Sequence, residues 1–166
     1  MPRPQLHVVN FASDGRNGTK NLLVKQNEQN RVLNGYKSVV GVHSFGLSDL
    51  QGPFGAANAY TLSKLRGAGY WLWKPWLILR VLHAIPLGDI VVYFDSDISV
   101  NDDPAEFASE CERNGVAAID SGFKSNTFTK RDCFMMLGAD RKEYYDAPQV
   151  WAACLAFQNT PLIANF

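Results

Sequence analysis

Two aspartates, Asp95 and Asp97, close the apolar run Ile90-Val91-Val92-Tyr93-Phe94, with Ser96 between them. Side chains alternate along an extended strand, so both carboxylates leave it on the same side, roughly 6–7 Å apart along the backbone. Neither is expected to lie there buried and unpaired, because an isolated buried charge is very costly. A divalent cation is the natural partner: it is hard, takes oxygen ligands and is completed by water and substrate phosphates. The plainer alternative is a polar exit from the strand with two solvated aspartates.

Upstream lies Gly67-Ala68-Gly69-Tyr70-Trp71-Leu72-Trp73-Lys74-Pro75. Its glycines permit unusual backbone angles, and aromatics such as Trp73 either pack under a sheet or line a pocket. Lys74, just before a helix start, can reach a phosphate or pair with a carboxylate. Downstream, Thr129-Lys130-Arg131-Asp132 has the form of a capping box, and Lys130 and Arg131 at a helix amino end make an anion site as well. Gln149 precedes a last apolar strand and can hydrogen-bond a sugar hydroxyl. No residue stands out as a catalytic base; Asp120, Asp132 and Asp146 are the candidates.

These residues need a scaffold, and the chain supplies the pattern for one. Leu6 to Ala12 reads as a buried first strand and Tyr36 to Val42 as a second. Thr19 to Val32 has only weak helical periodicity, loaded with Asn and Gln. Gly46 to Gly69 is rich in glycine and reads as irregular, with short helical turns. Leu77, Ile78, Val81, Leu82 and Ile85 form one apolar stripe on a helix that carries Pro75 in its first turn and runs to Ala84. Ile90 to Phe94, arriving straight after that helix, reads as a central parallel strand covered on both faces. Pro104 to Arg113 and Thr129 to Leu137 read as helices, and Val116 to Ile119 and Val150 to Phe157 as strands. Strands alternating with helices make the fold class α/β, with a mostly parallel sheet flanked by helices. Carboxylates at the carboxyl end of a central strand then sit where open α/β sheets place ligands.

The chain of 166 residues is the size of one domain, and residues 1–166 are read as a single domain. Its 16 basic and 16 acidic residues cancel, which disfavours nucleic acid as a partner. Three cysteines without Cys-x-x-Cys spacing disfavour a disulfide framework or zinc knuckle; they fit a reducing, cytoplasmic location and read as buried small hydrophobes. The longest apolar stretch, Trp71 to Leu87, is broken by Lys74, Arg80 and Pro86, so no membrane span is expected. Asn17-Gly18-Thr19 is a glycosylation sequon that reads as chance.

Gly-Tyr-Trp-Leu-Trp-Lys-Pro followed by an amphipathic helix and Gly-Asp-Ile-Val-Val-Tyr-Phe-Asp-Ser-Asp resembles a family of bacterial and viral nucleotide-sugar glycosyltransferase-like proteins of the GT-A fold. The Thr129 to Asp132 block and Gln149 ahead of Asn159-Thr160 match the same pattern, so the resemblance spans Gly67 to Thr160. It implies metal-dependent transfer of a sugar from a nucleotide-diphospho-sugar, a UDP-sugar first among them, to a sugar, lipid or protein acceptor. It implies Mn²⁺ or Mg²⁺ held by Asp97, through a DXD-type motif, with Asp95 near the metal and donor ribose. Lys74, Trp73, Lys130, Arg131 and Gln149 would then lie about the donor or acceptor. Such a domain usually continues beyond the strand after Gln149, whereas this chain stops at Phe166, which fits a fragment, a naturally shortened protein or half of an oligomer.

Two rivals stand beside this reading. A haloacid-dehalogenase-type phosphatase also ends an apolar strand with Asp-x-Asp and uses the first as nucleophile. That motif normally opens the domain, and here it arrives late. The other rival is an inactive module derived from a glycosyltransferase that binds a nucleotide or a partner.

Overall fold

The structure is a computed structural model that describes residues 3–13 and 21–164. The Asn17 sequon lies outside them. Five strands form one sheet in the order β2-β1-β3-β5-β4. The strands are β1 (Leu6–Ala12), β2 (Val39–Gly46), β3 (Ile90–Phe94), β4 (Val116–Lys124) and β5 (Pro148–Gln158). Between β1 and β2 lies α1 (Leu22–Leu33). Between β2 and β3 come the short helices α2 (Pro53–Ala57) and α3 (Ala59–Leu62), the turn α4 (Gly67–Tyr70), and the longer α5 (Trp73–Leu82). Helix α6 (Ala105–Asn114) joins β3 to β4, α7 (Arg131–Met136) and α8 (Lys142–Asp146) join β4 to β5, and α9 (Pro161–Ala164) follows.

Every residue of β3 is buried, as its unbroken apolar run requires. Leu6, Val8, Ile90 and Val92 face Leu33 of α1 and Ala108 and Cys111 of α6. Val9, Phe11, Val91 and Tyr93 face Leu77, Ile78, Val81 and Leu82 on the stripe of α5. The central strands are thus covered on both sides, and a run that alternated with polar residues would have exposed one side.

The expectation of a mostly parallel sheet needs correction. β1 pairs parallel with β2 and with β3, but β5 enters between β3 and β4 and is antiparallel to both. The reason lies in the excursion from Ser125 to Ala147. The Ser125 amide donates to the Ala147 carbonyl at 2.9 Å, closing the excursion at its base. The chain therefore re-enters the sheet at the end it left, and β5 can only run back. At its far end Asn159 is buried and donates to the Ile85 and Pro86 carbonyls at 2.9 and 3.1 Å, anchoring the loop that feeds β3.

Other elements moved by a few residues. The second strand begins at Val39 and runs to Gly46, and β4 extends to Lys124. The capping box at Thr129 does not form: Lys130 is the cap of α7 and makes no side-chain cap bond. Cys111 and Cys154 are buried as expected, but Cys133 is exposed on α7. Among the described residues no helix is long and apolar enough to cross a membrane.

Candidate functional site

Strand order runs from β1 outward to β2 on one side and returns to β3 on the other. The carboxyl ends of β1 and β3 therefore flank a point where the order reverses, the usual location of a ligand crevice in open α/β sheets. A cavity of about 270 Å³ opens there, lined by Phe11, Ser13, Gly67, Trp71, Trp73, Asp95, Ser96 and Asp97, with Leu22. A second cavity of about 370 Å³ lies on the α1 side and shares Ser96 and Asp97 with the first. Asp97 is thus the ridge between them, and it is exposed.

The two aspartates have different surroundings. Asp95 Oδ1 accepts from Lys74 Nζ at 2.9 Å and from the Tyr93 hydroxyl at 2.5 Å. Lys74 is buried, also donates to the Ala152 carbonyl at 2.8 Å, and sits 4.6 Å over the Tyr93 ring. Of the two roles the sequence allowed for Lys74, this is the pairing with a carboxylate. Burial above all, then the Asp95 and Asp97 charges, push the Tyr93 hydroxyl well above the ordinary tyrosine range, so it remains a donor at neutral pH. The signal for Tyr93 was its position two residues before Asp95, on the same face of β3.

After Phe94 the backbone turns, with the Ile98 amide donating to the Asp95 carbonyl at 3.0 Å. Ser96 Oγ donates to the Phe11 carbonyl at 2.9 Å and ties this turn to β1. Gln29 of α1 is buried and donates to the carbonyls of Asp95 and Ile98 at 3.0 and 2.9 Å. Sequence reasoning missed Gln29, because the Asn and Gln content of α1 counted against the helix.

The opposite wall is an unusual piece of backbone. Gly67, Ala68, Gly69, Tyr70 and Trp71 all have positive φ, at 58°, 48°, 100°, 53° and 59°. The turn winds left-handed, which costs a non-glycine residue about 1–2 kcal/mol. Both glycines are required: a Cβ on Gly67 would lie 2.4 Å from the Trp71 ring, and one on Gly69 would lie 2.8 Å from the Leu62 Cα. The turn puts the half-exposed Trp71 at the cavity. Trp73 is both packing and wall: it stacks on Phe11 at 3.9 Å between ring centres and donates Nε1–H to the Gly67 carbonyl at 2.9 Å. Strain of this kind concentrates at binding and catalytic sites.

The remaining sequence candidates are not among the residues lining this cavity. Lys130 is exposed, and Arg131 makes a two-bond pair with Asp140 at 2.9 and 3.0 Å. Gln149 lines a separate groove of about 490 Å³ with Asp120, Ser121, Phe123, Phe128, Val150 and Trp151. Of the candidate bases, Asp146 is held by Lys124 and Lys142, whose hydrogen bonds pull its pKa down to about 2, too low for a proton acceptor near neutrality. Asp120 accepts from the Gly122 amide, and Asp132 is exposed. Among the described residues no group of three or more His, Cys, Asp or Glu side chains is arranged to hold a metal.

No family model matches the sequence, and no curated protein does. Among solved structures, the apo form of mouse xyloside xylosyltransferase 1 is similar in fold, with a TM-score of 0.51. The match covers 97% of this chain and 71% of that one at 10% identity. At that identity the likeness concerns the fold: an α/β arrangement with a mixed five-stranded sheet, similar to that of a glycosyltransferase.

Proposed function

We propose that the chain is a metal-dependent glycosyltransferase of the GT-A kind that draws on a nucleotide-diphospho-sugar donor. The observation that carries this reading is the exposed carboxylate of Asp97 beside Asp95, lining the β1–β3 cavity in a fold similar to a glycosyltransferase. That likeness in fold is also what favours sugar transfer over phosphoester hydrolysis.

The residues fit a Mg²⁺ or Mn²⁺ bound together with its substrate. Such ions take one or two carboxylates and leave the other positions to water and phosphate oxygens, so a cage of three protein ligands is not required. Asp97 would be the principal ligand. Asp95 would contribute its second oxygen, the first being taken by Lys74 and Tyr93. The ion, when bound, offsets the negative charge that develops on the departing nucleoside diphosphate.

The chain's own residues do the rest. Lys74 cancels one of the two aspartate charges and fixes the Asp95 carboxylate in one orientation. The Trp71 ring offers an apolar face to a nucleotide base, and Trp73 with Phe11 forms a rigid floor. Lys130 and Arg131 would serve the donor or acceptor, and Gln149 the sugar, from outside the lining of this cavity. In the transfer itself, the bond from the anomeric carbon to the diphosphate oxygen breaks and a bond to an acceptor hydroxyl oxygen forms. The hydroxyl proton leaves to a base.

Thermal melting with UDP, GDP and CMP and their sugar conjugates, with and without Mn²⁺, tests the donor site. One nucleotide should raise the melting temperature only with Mn²⁺, and Asp97→Asn should lose the effect. Absence of any nucleotide shift removes the donor site. A shift without release of free nucleotide from the sugar conjugate, across a panel of acceptors, favours the inactive binding module.

A further inference from the structure

α1 is an odd helix for the face of a sheet. Its buried positions are Gln26, Gln29 and Leu33, so two of three are amides. They meet Asn10, which is wholly inaccessible on β1. Asn10 Nδ2 donates to Gln29 Oε1 and to Asn30 Oδ1, both at 2.8 Å. Gln26 Nε2 donates to Asn10 Oδ1 and to the Phe45 carbonyl, both at 3.0 Å. Both Nε2 hydrogens of Gln29 go to the carbonyls of Asp95 and Ile98. Each amide nitrogen of Asn10, Gln26 and Gln29 therefore spends both its hydrogens inside the network.

Amides paired only with one another could give way to apolar side chains of the same shape at little cost, but three acceptors here are the backbone carbonyls of Phe45, Asp95 and Ile98, which would lose a donor each. What the amides supply is direction: a satisfied network admits one arrangement of its members. Here that arrangement ends on the aspartate turn. The Gln29 carboxamide bridges the first and last carbonyls of Asp95–Ile98, while Ser96 Oγ pins the middle to β1. Asp97 is the one exposed residue of the turn, and the backbone that carries it is held by Gln29 and Ser96, both buried.

We propose that Gln29 is a positioning residue for the metal–nucleotide site, acting on Asp97 through the backbone of the turn. This rests on the donor-site reading above. Gln26 is the natural comparator, because it has the same side chain, burial and network but ends on Phe45 rather than on the turn.

The experiment compares Gln29→Met, Gln29→Asn and Gln26→Met with the unaltered chain and Asp97→Asn. Binding of Mn²⁺ with UDP, GDP or CDP is read from the Mn²⁺ electron paramagnetic resonance signal. Unfolding by urea and hydrogen exchange at the Ile98 amide are read on the same samples. Both Gln29 variants should weaken Mn²⁺–nucleotide binding at least about tenfold, roughly the effect of one lost buried hydrogen bond, and speed Ile98 exchange to match. Gln29→Asn keeps an amide but falls one methylene short, so it reports even if Gln29→Met does not fold. Gln26→Met should lose comparable stability and bind within about twofold. Binding retained in the Gln29 variants but lost in Asp97→Asn overturns the positioning role alone. So does binding that falls in all three variants in step with stability. No binding by the unaltered chain overturns this role and the donor site together.

Discussion

Replacing Lys74 by methionine separates the two things a buried lysine beside an aspartate can do. The substitution keeps an unbranched apolar side chain but removes the ammonium group that sits over Tyr93, and with it the bonds to Asp95 Oδ1 at 2.9 Å and the Ala152 carbonyl at 2.8 Å. Breaking a fully buried ion pair from one side costs about 3–5 kcal/mol, because the other charge is left uncompensated. The Asp95 side chain is 29% exposed, so water recovers part of that loss, and about 2–3 kcal/mol is expected. At about 2–4 °C per kcal/mol for a chain of this size, the melting temperature should fall by about 4–12 °C. Urea unfolding of Lys74→Met, Asp95→Asn and the double variant then isolates the pair itself. A coupling of about 1–2 kcal/mol is expected between groups this close. Binding of Mn²⁺ alone should hold or tighten in Lys74→Met, since a cation has been removed from beside the aspartates. A loss below about 1 kcal/mol, with no coupling in the cycle, would refute the reasoning. Lys74 would then be free to serve an anionic ligand, and its removal should weaken nucleotide binding instead.

Three further outcomes are expected. Gly69→Ala forces a Cβ to 2.8 Å from the Leu62 backbone at φ +100°, so it should cost about 2 kcal/mol or more in urea unfolding; a neutral effect would mean the left-handed turn relaxes freely. Iodoacetamide at pH 8 should label exposed Cys133 alone, because burial pushes the Cys111 and Cys154 thiols up to about 11, and mass spectrometry showing equal labelling of all three contradicts that burial. The Asp146 carboxyl, pulled from its ordinary 3.8 to about 2 by Lys124 and Lys142, should titrate near 2 by carbon NMR. Its contribution to stability is therefore complete above about pH 4 and lost as pH falls through about 2; a midpoint near 4 would show that both lysine bonds are absent.

Strand β3 and helix α5 could be read from the chain because their signals are local. An unbroken apolar run and a stripe at helical spacing declare both the element and the fact of its burial. The same locality made Asp95 and Asp97 visible, since a charge directly ending a buried strand has few explanations. β1 was legible on the same grounds. α1 was not, because its buried face is made of amides and a hydrophobic scan sees no periodicity there. The capping box failed for a related reason. Four residues can match a motif while the helix starts one residue later, with Lys130 rather than Thr129 at the cap.

By itself, then, the sequence determined that β1 and β3 are buried, that strands and helices alternate, and where two carboxylates meet the end of a central strand. Tertiary structure decided the rest. An apolar strand carries no record of its direction, so β5 could be read as a strand but not as antiparallel until the closed excursion at Ser125 and Ala147 fixed the end at which it enters. Lys74 and Asp95 are far apart in the chain, and only the packing of α5 across β3 turned a lysine able to serve either role into the partner of a carboxylate. Gln29 reaches the aspartate turn only because α1 is laid against β1. Burial depends on residue type and near neighbours. Pairing depends on where the fold brings distant residues together, and there most of the site's chemistry is settled.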